Sequence, residues 1–242
     1  MPTPAVVATG LRKVYGRGPT EVHALRDVDL TIHKGQLTAI MGPSGSGKSS
    51  LMHCLAGLDR PSAGTVTVEG TDLTGLDERR RTDLRRDRIG FVFQQYNLLP
   101  ELSGRDNVLL PLEIAGRRTD RAWFDRIVAA LGIGPHLDRR PTELSGGQQQ
   151  RIAIARALIT RPAVVFADEP TGNLDSAASR DVLELLRRST GSLGRTVVVV
   201  THDPVAAGYA DRVVLLADGR VAGELHGSTS QDIAVEPEKL AG

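Results

Sequence analysis

Short apolar runs separated by turn-forming residues dominate the first part of the chain. Alternating or continuous apolar positions predict strands at residues 6–8, 28–32, 37–41, 65–68 and 89–93. The segment Gly16-Arg17-Gly18-Pro19 lies between the first two runs and predicts a turn. The pattern therefore indicates a β-rich N-terminal part.

Apolar positions at three- and four-residue spacing predict helices further along. One helix is predicted over 48–57, directly after the strand at 37–41. Helical segments at 104–112 and 121–131 belong to a stretch, about 95–144, that we expect to be an all-helical insertion.

Strand and helix patterns alternate after this insertion. Strands are predicted at 163–167, 195–200 and 212–216, with helices at 148–159 and 177–188. This alternation is typical of an α/β fold with a mainly parallel, helix-covered sheet. We expect a single domain over 1–242, in which residues 1–94 and 145–226 form the core and the polar residues 227–242 form a loosely ordered tail.

The amino-acid composition limits the kinds of partner and cellular location that can be expected. The 40% hydrophobic content supports a sizeable core, and a formal net charge of +1 gives no global field for nucleic acid or an anionic membrane. The longest apolar runs fall far short of the roughly 20 residues that a membrane-spanning helix needs. The first residues do not resemble a secretory signal, and the single cysteine, Cys54, excludes an internal disulfide, so a cytoplasmic protein is expected.

A glycine-rich loop lies between the predicted strand at 37–41 and the predicted helix that follows. Its residues are Gly42, Pro43, Ser44, Gly45, Ser46, Gly47, Lys48 and Ser49, with Ser50 next in the chain. Glycines allow backbone N–H groups and the helix N-terminus to surround phosphate groups. Lys48 is expected to reach the β- and γ-phosphates of a nucleotide, and the Ser49 hydroxyl to ligate magnesium.

Two carboxylates end the apolar run at 163–167. Asp168 and Glu169 are thereby placed at the carboxyl edge of the predicted sheet, where ligands of open α/β folds bind. Asp168 is expected on the magnesium side. Glu169 could orient and polarise a water molecule that attacks the γ-phosphate.

A second candidate anion site is Leu144-Ser145-Gly146-Gly147-Gln148, which leads directly into a predicted amphipathic helix. A hydroxyl and two glycines at a helix start can bind an anion, although the same residues can form an ordinary helix cap. Together with the phosphate loop and the acidic pair, this pentapeptide resembles the signature of ATP-binding cassette (ABC) ATPases.

The resemblance implies a phosphate-loop fold of ABC type, with a mainly parallel core, an N-terminal antiparallel β subdomain and an inserted helical subdomain. It implies ATP and Mg²⁺ as ligands. In that family the signature, here Ser145, Gly146, Gly147 and Gln148, binds the γ-phosphate held by the opposite subunit. A homodimer with two ATP molecules between its subunits is therefore expected.

Four further residues match family motifs. Tyr15 resembles the aromatic residue that stacks on adenine, although it could be an ordinary loop tyrosine. Gln94 resembles the glutamine that contacts magnesium and water, so the implied metal ligands are Ser49, Gln94 and Asp168; the neighbouring Gln95 leaves that assignment open. Asp175 lies in a segment that resembles the family loop that crosses to the other subunit, and His202 resembles the histidine that holds the γ-phosphate and the attacking water.

Residues 92–100 and 170–175 are similar to the lipoprotein-releasing and macrolide-exporter group of these ATPases. The group implies a subunit on the cytoplasmic face of the membrane that powers a separate permease, for export or extraction of a lipophilic or peptide-like substrate. A signalling or scaffold ATPase acting on a membrane partner is the main alternative. A soluble chromosome or repair ATPase would need a long coiled coil, and a small-molecule kinase would leave the signature unexplained.

Residues 78–88 contain six arginines interleaved with Asp83 and Asp87. Aromatic residues are absent from this run, which argues against stacking on nucleic-acid bases. Two interpretations remain open: a solvated, partly ion-paired face, or a surface that faces lipid headgroups or a membrane partner.

Overall fold

The computed structural model describes residues 3–227 and 230–234 and contains two sheets. The first is antiparallel, with the spatial order β2 (Val22–His33), β1 (Pro4–Tyr15), β4 (Ala63–Val68) and β5 (Thr71–Asp72). The second has the order β10 (Arg220–His226), β9 (Arg212–Ala217), β3 (Leu37–Met41), β8 (Val197–Thr201), β7 (Val164–Asp168) and β6 (Ile89–Val92). In the second sheet only the β9–β10 pair is antiparallel among the described strands.

Helices cover the second sheet and fill the stretch between β6 and β7. They are α1 (Lys48–Leu55), α2 (Glu78–Arg88), α3 (Gly104–Ile114), α4 (Arg121–Leu131), α5 (Gly146–Leu158), α6 (Ser176–Ser192) and α7 (Pro204–Ala207). Short 3-10 turns occur at Gly18–Thr20, Gly134–His136 and Pro141–Glu143.

The second sheet separates two apolar cores. On one side α3, α4, α5 and α6 contribute residues such as Val108, Trp123 and Ile152. On the other side α1 and the antiparallel sheet contribute residues such as Leu51 and Leu11. Every residue of β3 and β8 is buried, which explains why these strands are continuous apolar runs without alternation. The predicted fold class, including the antiparallel N-terminal part, is confirmed.

Strand register brings three chain segments to one edge of the sheet. Met41, the last residue of β3, pairs with Thr201, the last residue of β8. Asp168 at the end of β7 pairs with Val200. The segments that follow β3, β7 and β8 therefore leave the sheet side by side at its carboxyl edge.

The N-terminal strands are longer than the sequence pattern predicts. β1 and β2 each contain 12 residues, and register shifts in β1 near Gly10 interrupt the alternation that would have revealed its length. As a result Tyr15, expected in a loop after the first strand, is the last residue of β1. β10 was not predicted, because its residues are exposed or half-buried throughout and form no apolar run.

The prediction of a loose tail at 227–242 falls mostly on residues outside the described ranges. Within it, residues 230–234 are helical, and Ile233 is buried against apolar residues of β3 and β9. Among residues 3–227 and 230–234, no helix combines the length and apolar character that crossing a bilayer requires.

The arginine-rich segment is α2, and most of its arginine side chains have partners within the chain. Arg81 pairs with Glu78, Arg86 with Asp83, and Arg88 with Glu69. Arg85 donates to the carbonyl oxygen of Gly57 at 2.7 Å. These contacts favour the ion-paired face over a surface reserved for lipid.

Burial disfavours the reactive thiolate form of Cys54. The residue is 1% exposed in the core beneath α1, and burial raises the pKa of its thiol to about 12. At pH 8 the reactive thiolate would then be about one part in ten thousand of the thiol. We predict that iodoacetamide alkylates Cys54 far more slowly in the native protein than in urea, as followed by mass spectrometry. Equal rates in both conditions would contradict the burial.

Candidate active site

A cavity of about 890 Å³ lies at the carboxyl edge of the second sheet. It collects residues from the end of β1, the loop between β3 and α1, and the ends of β7 and β8. The lining residues are Tyr15, Val22, His23, Ala24, Pro43, Ser44, Gly45, Gly47, Lys48, Ser49, Ser50, Asp168, Glu169, Val200 and His202. Most of the residues predicted to bind a nucleotide or to take part in its hydrolysis therefore line this one cavity.

The glycine-rich loop leaves the start of α1 open. Each of the helices α2 to α7 begins with a side chain that accepts from its first N–H groups, whereas α1 begins at Gly47 with no such cap. Gly47 has φ +99°, and a Cβ there would lie 2.3 Å from the carbonyl oxygen of Ala24. Glycine is thus required, and the uncapped N–H groups are available to an anion.

Two polar side chains of the loop differ in their access to the cavity, since Lys48 lines it and Ser46 does not. The Lys48 ammonium donates to the carbonyl oxygens of Gly42 at 2.7 Å and Pro43 at 2.8 Å, which leaves one of its three donors for another acceptor. Burial lowers the pKa of Lys48, while Glu169 and Asp168 act to raise it. The Ser46 hydroxyl is buried and has no hydrogen-bond partner among the described residues.

Asp168 is a half-buried carboxylate at the end of β7. Burial raises its pKa, with a further contribution from Glu169, while His53 and Lys48 act in the opposite direction. A carboxylate in this position is stabilised in its charged form by a bound cation. It is therefore suited to the metal side of the cavity.

Glu169 is fixed by the end of β8. Its Oε2 accepts from the Thr201 hydroxyl at 3.2 Å, and its Oε1 accepts from the backbone N–H of His202 at 3.1 Å. The same Oε1 lies 2.7 Å from Nδ1 of His202. Glu169 also has φ +43°, an uncommon conformation for a residue with a side chain, which these contacts maintain.

Gln94 lies beside the cavity rather than in its lining. It borders a neighbouring cavity of about 500 Å³ that shares Glu169 and His202 with the first. Its Nε2 donates to Oδ1 of Asn173 at 3.3 Å, and Nδ2 of Asn173 donates to the Gln94 carbonyl oxygen at 3.1 Å. The end of β6 is thereby tied to the loop that follows Glu169.

The signature residues lie in the described part of the chain, and none of them lines this cavity. Ser145 caps α5: its hydroxyl accepts from the N–H of Gln148, and its own N–H donates to Oε1 of Gln148 at 3.0 Å. A Cβ on Gly146 would lie 2.7 Å from the Tyr96 hydroxyl. Asp175 caps α6 through the N–H groups of Ala177 and Ala178, also away from the cavity lining.

Sequence reasoning missed two residues that support the site. Thr201 positions Glu169, and its place next to His202 at a strand end was the available signal. Gln150 is fully buried in α5 and donates through Nε2 to the carbonyl oxygen of Pro170 at 2.6 Å. This bond joins the signature helix to the loop after Glu169, and a lone glutamine in a helix gave no sign of it.

Comparison with known proteins identifies the family. The ABC transporter family matches residues 25–172, more than half of the chain. The chain belongs to that family.

Relatives of this ABC protein cover nearly all of it. The lipoprotein-releasing system ATP-binding protein LolD of Bordetella pertussis is 46% identical over 90% of this chain and 95% of that protein. The macrolide export ATP-binding/permease protein MacB of Syntrophobacter fumaroxidans is 46% identical over 88% of this chain and 30% of that protein. Both relatives belong to the lipoprotein-releasing and macrolide-exporter group, which is the group that the motifs of this ABC chain resemble.

A solved structure shares the fold. A dimeric structure of a post-hydrolysis state of the ATP-binding cassette MJ0796, bound to ADP and Pi, has a TM-score of 0.80 and 40% identity. It covers 92% of this chain and 99% of that chain. The ABC protein described here is accordingly an ATP-binding protein and an ATP hydrolase.

The contacts of Thr201 lead to a test of the site geometry. Thr201→Val keeps the shape of this buried residue but removes the hydroxyl that donates to Glu169 and accepts from the N–H of Asp203. We predict that kcat for phosphate release falls about threefold to tenfold, the size of one net hydrogen bond, while KM for ATP changes less than about twofold. Thr201→Ser keeps the hydroxyl and should retain most of the activity. An unchanged kcat in Thr201→Val would show that the hydroxyl does not position Glu169.

Proposed function

We propose that two copies of this chain form a head-to-tail dimer with two shared ATP sites, and that ATP-driven closing and opening of this dimer powers a separate membrane permease. One observation carries the proposal: the signature presents a second glycine-rich helix start outside the cavity that holds the phosphate loop. A nucleotide in the cavity would contact its own chain on one side only. A second copy can supply Ser145 and Gly147 to the other side.

The residues that a single copy supplies to the site are suited to a triphosphate. The N–H groups at the start of α1 and the Lys48 ammonium supply positive charge at the cavity. The exposed ring of Tyr15 lies at the same cavity and offers a stacking surface for adenine. The site therefore has separate places for phosphates and base.

The donor set fits Mg²⁺. The Ser49 hydroxyl and the Asp168 carboxylate at the cavity, with the Gln94 amide beside it, are hard oxygen ligands of the kind that magnesium prefers. Within the described ranges no group of three or more His, Cys, Asp and Glu residues could hold a metal ion alone, so phosphate oxygens and water would complete the coordination. When bound, Mg²⁺ would neutralise charge on the β- and γ-phosphates.

Glu169 is the residue that orients the attacking water. A carboxylate has about four lone-pair sites, and its contacts with Thr201 and His202 use three of them, which leaves one for water. When Nδ1 of His202 donates to the Glu169 carboxylate, Nε2 of the neutral ring is an acceptor and can receive a hydrogen bond from the attacking water. Only the doubly protonated ring could donate from Nε2 to the γ-phosphate. Attack on the γ-phosphorus breaks its bond to the β–γ bridging oxygen and yields ADP and phosphate.

Dimer closure depends on the γ-phosphate. With ATP bound, the phosphate loop of one copy and the signature of the other share the same anion, which stabilises the closed dimer. Hydrolysis removes that bridge, and the dimer opens. Each turnover is therefore a movement that a partner can use.

A permease partner would receive this movement at the helical insertion. A groove of about 390 Å³ beside β6 and α3 combines apolar residues, among them Phe91, Phe93 and Ile114, with the arginines Arg85, Arg86 and Arg156. Ile114 is 71% exposed. The names of the relatives support lipoprotein release or export, and hence a place on the cytoplasmic face of the membrane. Stimulation of turnover by a transported substrate would distinguish this role from a signalling or scaffold ATPase.

The shared site leads to a prediction for Glu169→Gln. Because the amide cannot accept a proton from water, kcat should fall about 100-fold or more, while ATP binding persists. Uncleaved ATP should then hold the closed dimer, so static light scattering should show a doubled mass on addition of ATP. Glu184→Gln, an exposed carboxylate on α6, is the matched control and should keep normal turnover. A Glu169→Gln protein that stays monomeric at saturating ATP would refute the shared site.

A further inference from the structure

Lys13 is a nearly buried cation behind the base side of the cavity. It lies on β1, is 9% exposed, and does not line the cavity. Its ammonium donates to Oδ1 of Asp59 at 2.7 Å and to the carbonyl oxygen of Arg60 at 2.8 Å. A buried ion pair must be well satisfied to persist, and here two of the three ammonium donors are committed to the segment after α1.

The same pair holds Tyr15. The Tyr15 hydroxyl donates to Oδ2 of Asp59 at 3.0 Å and lies 3.4 Å from Oγ of Ser50. The Lys13 ammonium lies 4.7 Å from the centre of the Tyr15 ring. One face of the ring is therefore covered by a cation and its hydroxyl is anchored, while the residue remains 40% exposed at the cavity.

In the cluster formed by Lys13, Tyr15 and Asp59, the positive charge of Lys13 is paired with the negative charge of Asp59. Burial acts to raise the pKa of Asp59, but hydrogen bonds from Lys13 and Tyr15 outweigh it, so its pKa lies below the usual value. Asp59 thus stays charged and keeps both Lys13 and Tyr15 in place. The ring is ordered before any ligand arrives, so a ligand that stacks on it does not have to order it.

We infer that Lys13 and Asp59 are positioning residues that set the affinity of the site for the nucleobase, because they present one fixed face of Tyr15 to it. The inference rests on the proposed function, in which Tyr15 stacks on adenine. A cation over one face withdraws electron density from the ring, which favours an electron-rich purine on the other face. The pair acts on the base and not on the phosphates.

Two ligands separate these effects. ADP carries the base, whereas inorganic triphosphate carries only phosphates, and isothermal titration gives the dissociation constant of each. For Tyr15→Phe, Asp59→Asn and Lys13→Met, ADP should bind about threefold to tenfold more weakly, the size of one net hydrogen bond, and triphosphate should change less than about twofold. Tyr15→Phe is the sharpest variant, because it keeps the stacking ring and removes only the anchor.

Matched controls come from a second lysine–carboxylate pair. Lys34 donates to Glu69 at the far end of the antiparallel sheet, and neither residue lines the cavity. Lys34→Met and Glu69→Gln should leave the affinities for both ligands unchanged. If Lys13→Met destabilises the fold, Asp59→Asn and Tyr15→Phe still test the inference.

The outcomes distinguish this inference from the proposed function. If Tyr15→Ala weakens ADP binding while Tyr15→Phe, Asp59→Asn and Lys13→Met do not, the stacking role stands and the positioning pair is refuted. Equal weakening of ADP and triphosphate would mean that the pair only braces the phosphate loop, which also overturns the inference. If Tyr15→Ala binds ADP normally, both the stacking role and the inference are wrong.

Discussion

The parallel register of β3, β8 and β7 is the constraint on which the site depends. Met41 pairs with Thr201, and Asp168 pairs with Val200, so three segments distant in sequence leave the sheet together. β3 and β8 are buried on both faces, which places them in the middle of the sheet between the two apolar cores. The phosphate loop, Glu169 and His202 therefore meet at one edge of the sheet, where hydrogen bonds between Glu169 and His202 hold these two residues together.

In the proposed dimer, two helix starts would account for the two halves of each site. The start of α1 has no side-chain cap and opens on the cavity, so its N–H groups are available to phosphate. The start of α5 is capped by Ser145 and Gln148 and is stable without a ligand. Because it is capped, this helix start can lie at the surface, and in the proposed dimer the backbone at Gly147 would face an anion held by another copy. Buried contacts such as Gln150 to Pro170 link that start to the catalytic loop.

Sequence predicted the parts of this protein that depend on neighbours along the chain. The apolar runs at β3 and β7 and the loop before Lys48 are recognisable because residue type and local pattern agree. β1 was underestimated because its bulges break the alternation. The contacts of Thr201 with Glu169 and of Lys13 with Asp59 were not predicted, since they join residues 32 and 46 positions apart and exist only once the sheets have formed.

The central claim is that the phosphate loop of one copy faces the signature of another. Differently tagged chains with Ser44→Cys and Ser145→Cys, each also carrying Glu169→Gln, test it with a short bifunctional maleimide, and Cys54 is buried away from the reagent. We predict an ATP-dependent crosslink between the two different chains and none between identical ones. A product independent of ATP, or crosslinks only between identical chains, would contradict the head-to-tail site.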